Sequence, residues 1–241
     1  MKPYIRTGLI FTLGACAVMA AISAAATGAL PASGNIPVHW GINGTPDRWA
    51  GRGEAAALLW AMPATALFAG LILTSAPMID PRKGNIDSGR RGYLAIWISV
   101  MILLVLVHGG VAMQMTRGAE AASESGGQSS GMVRWVIAGA AVLFIIVGNY
   151  LPKTRSSFFF GIRTPWTLSS DTAWERTHRL AGPLFMAAGA LGLAGAFVFS
   201  GVLLAIQLSV WVITAVVISV IYSYFAWRSA PDREHGTNLT V

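Results

Sequence analysis

Six stretches of predominantly apolar residues follow one another along the chain. They cover residues 8–30, 55–76, 93–115, 132–151, 183–201 and 203–227. A hydrocarbon core of about 30 Å needs about 20 such residues in a helix, because only a helix satisfies its own backbone polar groups there. The pattern therefore predicts an all-α integral membrane protein with about six transmembrane helices, the last two joined by a tight turn near Ser200 and Gly201.

Composition supports lipid as the solvent for most of the chain. Only 11% of the 241 residues are charged and 54% are hydrophobic, whereas a soluble domain carries about 25% charged residues. The net charge of +7 is spread over the ends of the apolar stretches. Orientation in a membrane explains such spacing, and a nucleic-acid surface does not. Cys16 is the single cysteine, so neither a disulfide framework nor a cysteine-rich metal site is predicted.

The basic residues also predict orientation. Thirteen of the 17 Lys and Arg residues fall on the side of the two termini, and the other four are Arg48, Arg52, Arg117 and Arg134. By the positive-inside rule we expect both termini to be cytoplasmic, in a multi-pass inner-membrane protein. The segment 117–131, rich in Gly, Ser and Ala, then reads as a flexible external connection.

The first apolar stretch has two interpretations. Lys2 and Arg6 precede it and small residues at 24–29 follow, as in a cleavable signal peptide. Its length of about 20 residues exceeds that of a usual signal-peptide core and suffices to span a bilayer. An uncleaved anchor is therefore favoured.

The first external loop, residues 31–54, has the pattern of a hairpin. Ile36–Trp40 is extended because the residue before proline avoids the helical region, and Asn43-Gly44 is a turn signal. We expect a compact external cap with a polar recognition face of His39, Asn43 and Asp47, and we predict four ligand-binding residues in this loop. These are His39, Trp40, Asn43 and Asp47.

Two other interpretations of this loop stay open. In one, Trp40 and Trp49 rest at headgroup level while His39 and Asp47 hold the turn. In the other, His39, Asp47 and Glu54 form a weak metal site. Zinc takes three or four protein ligands, whereas this loop offers His39, Asp47 and at most Glu54 as a third, so no metal is predicted.

The second cytoplasmic loop and the helix start that follows it, residues 152–180, form what we call the elbow. Pro152 ends the fourth helix, and the three phenylalanines at 158–160 are too few to span, so they lie along the membrane or pack between helices. Thr172 and Glu175 fit a capping box that opens a helix running into the fifth span. On that helix Trp174 and His178 share a face, and Glu175 pairs with Arg179.

The predicted ligand- or partner-binding residues of this region lie in and just before the elbow. They are Asn149, Lys153, Arg163, Thr164, Pro165, Trp166, Trp174 and His178. A purely structural elbow, whose Arg, Trp and His side chains satisfy one another and the headgroups, is the alternative.

His108 is the one ionisable side chain well inside a predicted span. Such a residue is a functional hypothesis by default. The alternative is a neutral imidazole bonded to a neighbouring carbonyl, with Gly109 and Gly110 allowing close helix approach.

Catalysis has little support in the sequence. Arg163, Thr164, Asp171, Glu175 and His178 could bind an anionic headgroup and supply an acid or base. No zinc-protease, nucleophile-elbow or phosphate-loop motif is present. No catalytic residue and no cofactor are predicted.

The two loops resemble a known family. Residues 149–152, the Gly-Ile-Arg-Thr-Pro-Trp-Thr-Leu run at 161–168 and Trp174-x-x-x-His178 are similar to the signature of the SdpI family of bacterial membrane proteins, named for immunity to a secreted killing factor. Residues 36–47 resemble the external-loop domain DUF1648 that many members carry. The resemblance divides the chain into 1–92 with the external loop, 93–131, and the SdpI-like region 132–241.

The resemblance implies a function. It indicates a membrane protein that protects its producer from a membrane-active peptide toxin, with a second role as a sensor that binds a cytoplasmic regulator. The implied partners are the bilayer, a peptide toxin outside and a regulator protein inside, with no direct contact to nucleic acid. The alternative is a lipid-acting enzyme or small-molecule transporter that uses the elbow.

Overall fold

The computed structural model describes residues 1–32, 35–42, 44–82, 84–124 and 130–233, with side chains for all of these except 118–124 and 130. The long helices are α1 (Pro3–Ala29), α2 (Arg52–Ile79), α4 (Arg90–Glu124), α5 (Ser130–Tyr150), α7 (Asp171–Val198) and α8 (Gly201–Arg228). The short elements are strands β1 (Ile36–Trp40) and β2 (Pro46–Ala50), helices α3 (Asn85–Ser88) and α6 (Pro165–Ser169), and a 3₁₀ turn, Leu151–Lys153.

The prediction of six spanning helices is confirmed. Within the described ranges, six helices are long and apolar enough to cross a membrane. A two-stranded sheet stands between the first two of them, as the hairpin pattern predicted. The chain thus has the architecture of a helical multi-pass membrane protein, with one small β element among the described residues.

Two predicted boundaries are wrong. Helix α4 continues to Glu124, so the first half of the predicted loop 117–131 is helical. Residues 119–122 and 124 are all Ala or Glu, and both residue types favour a helix. Residues 125–129 lie outside the described part. Helix α7 begins at Asp171, with Ser170 as its N-cap, although the predicted capping box placed its start at Thr172; Pro183, the first residue of the fifth apolar stretch, lies in its interior.

The long helices pack as two groups of three. Helix α1 packs against α2 and α4, helix α7 packs between α5 and α8, and α4 contacts α5 to join the groups. In the first group Trp97 of α4 is fully buried, donates to the Thr12 hydroxyl at 2.9 Å, and lies where a Cβ on Gly8 would approach it to 2.5 Å. Gly8 therefore lets the indole fill the space between the helices.

Helices α5 and α7 approach each other through glycine. A Cβ at Gly148 would lie 2.6 Å from the carbonyl oxygen of Gly182, and one at Gly189 would lie 2.6 Å from that of Ala141. In lipid, where no hydrophobic force drives helices together, small residues allow the close backbone packing that replaces it.

The end of the bundle that carries both termini, here called the terminal face, is held by polar contacts. Lys2 and Tyr4 donate to Asp87 of α3, the Tyr4 distance being 2.7 Å. Asn85 donates to the carbonyl of Ser156 at 2.6 Å. These bonds tie the start of α1, the α2–α4 connection and the elbow together on one face.

Two arginines serve the opposite end, the hairpin face. Arg52, at the start of α2, donates to the carbonyls of Leu30 and Thr27, the latter at 2.9 Å. Arg134, near the start of α5, donates to the carbonyl of Ala196 and, at 3.3 Å, to that of Phe199. The last carbonyls of a helix have no partner within the helix, so each guanidinium completes the end of α1 or α7.

Candidate functional site

The hairpin presents a polar pair on its exposed surface. Strands β1 and β2 pair antiparallel with a bulge, placing His39 opposite Arg48. The Nδ1 atom of His39 lies 2.5 Å from Oδ1 of Asp47, and both side chains are exposed. Gly44 takes φ +80° in the turn, which favours glycine. Asn43, a predicted site residue, lies outside the described residues.

The other face of the hairpin packs on the helices. Ile36 is fully buried among residues of α1, α2 and α4, and Trp40 packs partly buried against the same cluster. The structure therefore separates Trp40 from the exposed His39–Asp47 pair. Trp49 is 39% exposed. Glu54 is paired with Arg48, and among the described residues His39, Asp47 and Glu54 do not form a group that could hold a metal ion.

The centre of the elbow is a buried Trp–His stack. The rings of Trp174 and His178 lie 4.0 Å apart at 19°, as expected for residues one helical turn apart. The N–H of Ile162 donates to His178 Nε2 at 2.9 Å. Nε2 is therefore the bare nitrogen, and Nδ1 carries the hydrogen that it donates to the Trp174 carbonyl at 2.8 Å. Both ring nitrogens are used for structure.

Gly161 makes this arrangement possible. Its φ of +114° lies in a region that L side chains rarely adopt. A Cβ there would lie 2.6 Å from His178 Nε2 and 2.6 Å from Cη2 of Trp174. The indole also donates to the Thr154 carbonyl at 3.2 Å. The backbone of the elbow thus packs directly on the stack at residue 161, where only glycine fits.

A capping box stands at α6, one helix earlier than predicted. The Thr164 hydroxyl accepts from the Thr167 N–H at 3.1 Å, and the Thr167 hydroxyl accepts from the Thr164 N–H at 2.9 Å. Helix α7 is capped by Ser170, which accepts from Ala173 N–H at 3.0 Å. The predicted box at Thr172 and Glu175 is wrong because α7 starts before Thr172. Thr164 also lies 3.1 Å from the Ser223 hydroxyl of α8.

The remaining predicted elbow residues lie around this core. Pro165 is the first residue of α6, and Trp166 packs edge-on against Tyr224, ring centres 5.4 Å apart. Arg163 is exposed and donates to the carbonyl of Phe158. Lys153 donates to Asn149 at 3.2 Å. The predicted pair of Glu175 and Arg179 is present at 3.9 Å.

Two aspartates that hold the elbow were missed by the sequence reasoning. Asp80, 2% exposed at the end of α2, accepts from the Ser157 hydroxyl at 2.6 Å and from Phe158 N–H at 3.1 Å. Asp232 accepts from the Ser170 hydroxyl at 2.6 Å and from Thr172 N–H at 3.1 Å. Each aspartate follows the end of a span, and that position was the signal that could have found it. Their partners, Ser157 and Ser170, lie far away in the sequence, so the contacts could not be predicted.

The electrostatics of Asp232 follow from those bonds. Burial raises the pKa of its carboxyl, but the hydrogen bonds from Ser170 and Thr172 lower it further, so the pKa lies below its usual value. The ionised Asp232 thus ties the segment after α8 to the start of α7.

His108 joins the first three spans. Its Nε2 lies 3.1 Å from the Met19 carbonyl and 3.0 Å from the Ser23 hydroxyl, and Ser23 donates to the Leu59 carbonyl at 2.9 Å. A carbonyl only accepts, so Nε2 carries the hydrogen. The predicted imidazole–carbonyl bond is present, and Nδ1 is buried with no partner among the described residues.

These features define a membrane protein with six long apolar helices in its described part, a hairpin between the first two of them, and a buried elbow. Its residues 153–226 match the SdpI/YfhL protein family, and residues 14–66 match a domain of unknown function, DUF1648. The resemblance read from the two loops is confirmed: the chain carries an SdpI-family segment behind a DUF1648 segment.

A curated relative agrees with the family match. Immunity protein SdpI of Bacillus subtilis (strain 168) is 31% identical over 90 residues, which are 37% of this chain and 43% of that protein. The match thus spans less than half the length of the relative. No solved structure matches the chain.

Proposed function

We propose that this chain is a membrane immunity protein that protects its producer from a secreted, membrane-active peptide toxin. One observation carries the proposal: the segment that matches the SdpI/YfhL family, 153–226, is the segment that builds the elbow and its two helices. The relative at 31% identity is itself an immunity protein.

In this proposal the hairpin meets the toxin. Beside the exposed His39–Asp47 pair, Ile42 is 61% exposed and Trp49 is 39% exposed. A membrane-active peptide is amphipathic, and it finds both polar and apolar partners on such a surface. Packing of the hairpin through Ile36 onto α1, α2 and α4 couples the surface mechanically to the spans.

In the same proposal the terminal face is cytoplasmic, as are both termini. The elbow transmits toxin binding to this face and contacts a cytoplasmic regulator there. Arg163 and Trp166 are its accessible groups, whereas Trp174 and His178 are buried. Because both nitrogens of His178 are engaged by backbone partners, the imidazole favours a structural role over acid–base chemistry. We therefore do not propose a reaction.

A survival assay tests the proposal. A sensitive bacterium expressing the chain is challenged with conditioned medium from a strain that secretes the killing factor. We expect protection by the wild-type chain and loss of at least tenfold in survival for the variants His39→Ala and Arg163→Ala. Arg6→Ala, which removes an exposed charge of the terminal face outside the elbow, serves as the matched control and should protect fully. Absence of protection by correctly inserted wild-type protein would refute the immunity role.

A further inference from the structure

Two adjoining cavities open on the terminal face beside the elbow. The larger, about 500 Å³, is lined by Arg90, Arg91, Tyr150 and Lys153 among others. The smaller, about 330 Å³, has Lys153, Arg155 and Ser156 in its wall. Lys153 and Thr154 belong to both. We call the combined space the basic groove.

The groove carries positive charge that no carboxylate of the described residues meets in a close ion pair, although Asp87 lies near enough to Arg90 to interact with its charge. Arg90, Arg91, Lys153 and Arg155 are exposed, and none forms an ion pair with a carboxylate in the described ranges. The carboxylates of the smaller cavity, on Asp171 and Glu175, are each paired with an arginine outside the groove. These pairs use Arg82 and Arg179.

The groove also has a defined floor and an unused hydrogen-bonding group. Lys153 Nζ lies 5.0 Å from the centre of the Tyr150 ring, and a Cβ on Gly92 would lie 2.9 Å from Tyr150, so that ring is held against α4. The Ser156 hydroxyl is buried and has no partner among the described residues.

We propose that the basic groove binds the phosphate group of a ligand, with Arg91 and Lys153 as its principal charges. Arginine offers paired donors that match phosphate oxygens, and lysine adds a mobile point charge. The groove lies where α4 begins and α5 ends, the level at which lipid headgroups lie. The source of the phosphate is a lipid headgroup or a soluble phosphate. This inference is independent of the immunity role.

Binding to purified, delipidated protein tests the proposal. Native mass spectrometry measures the affinity for phosphatidylglycerol and for diacylglycerol, which has the same tails without phosphate. Calorimetry measures inorganic phosphate. The test variant is Arg91→Gln with Lys153→Gln. The matched control is Arg6→Gln with Arg228→Gln, which removes two exposed charges of the same face outside the groove.

We expect phosphatidylglycerol to bind and diacylglycerol not to bind. At about fivefold in affinity for each cation near a headgroup, the test variant should lose about 25-fold and the control less than twofold. Binding of inorganic phosphate alone, lost in the same variant, would assign the groove to a soluble phosphate. Equal losses in the two variants would show diffuse surface charge and overturn the proposal, as would binding of neither phosphate probe. Thermal melting checks that both variants fold.

Discussion

Replacing Gly161 by alanine tests the buried elbow most directly. Gly161 holds φ +114°, and its missing side chain leaves room for the Trp174–His178 stack. A methyl group at this place would lie 2.6 Å from both His178 Nε2 and the indole of Trp174. Those distances are far inside contact, so the chain must move away from the stack.

The expected loss is the sum of two effects. Backbone strain for a residue with a side chain at such a φ costs about 1–3 kcal/mol. Moving residues 161–162 breaks the bond from Ile162 N–H to His178, and a buried group left without its partner costs about 1–3 kcal/mol. We therefore expect Gly161→Ala to lower the free energy of unfolding by about 2–6 kcal/mol.

Gly84→Ala is the matched control for strain. Gly84 takes φ +90°, but a Cβ there has nothing within 4 Å. It should cost only the backbone part, about 1–3 kcal/mol. The free energies come from reversible unfolding of both variants and wild type in mild detergent titrated with SDS. Equal losses for Gly161→Ala and Gly84→Ala would refute the stack as the source of the glycine requirement.

Two further predictions concern charged groups. The hydrogen bond from Lys2 lowers the pKa of Asp87 more than burial raises it, so this carboxylate stabilises the fold above its unfolded pKa of about 3.9 and the contribution is lost as pH falls through the lower folded value. Between about pH 5 and 3, the free energy of unfolding should therefore fall more steeply with falling pH in wild type than in Asp87→Asn. Identical pH profiles would contradict the assignment. Arg134→Gln should cost about 1–2 kcal/mol because the end of α7 loses its cap, while Arg48→Gln, which breaks an exposed pair, should cost less than about 1 kcal/mol; thermal melting of both variants compares them, and similar losses would contradict the capping role.

Local patterns predicted the hairpin and the turn-spaced pairs well. Proline at 37 and glycine at 44 act within a few residues, and Trp174 and His178 meet because helix geometry brings residues four apart together. The N-terminus of α7 was misplaced because Ser170 and Thr172 are both good capping residues. Ser170 is the N-cap in the structure, and its hydroxyl also donates to Asp232, a residue 62 positions away.

The sequence by itself determined the six spans, the hairpin and the family resemblance, because hydrophobic length, turn chemistry and short motifs are all local properties. The tertiary structure decided which polar groups became partners. Asp80 beneath Ser157, Arg134 at the end of α7 and the joining of Lys153 with Arg91 in one groove all depend on helix packing. Residues far apart in the chain meet only when whole helices pack, and glycines such as Gly148 set how closely they can do so.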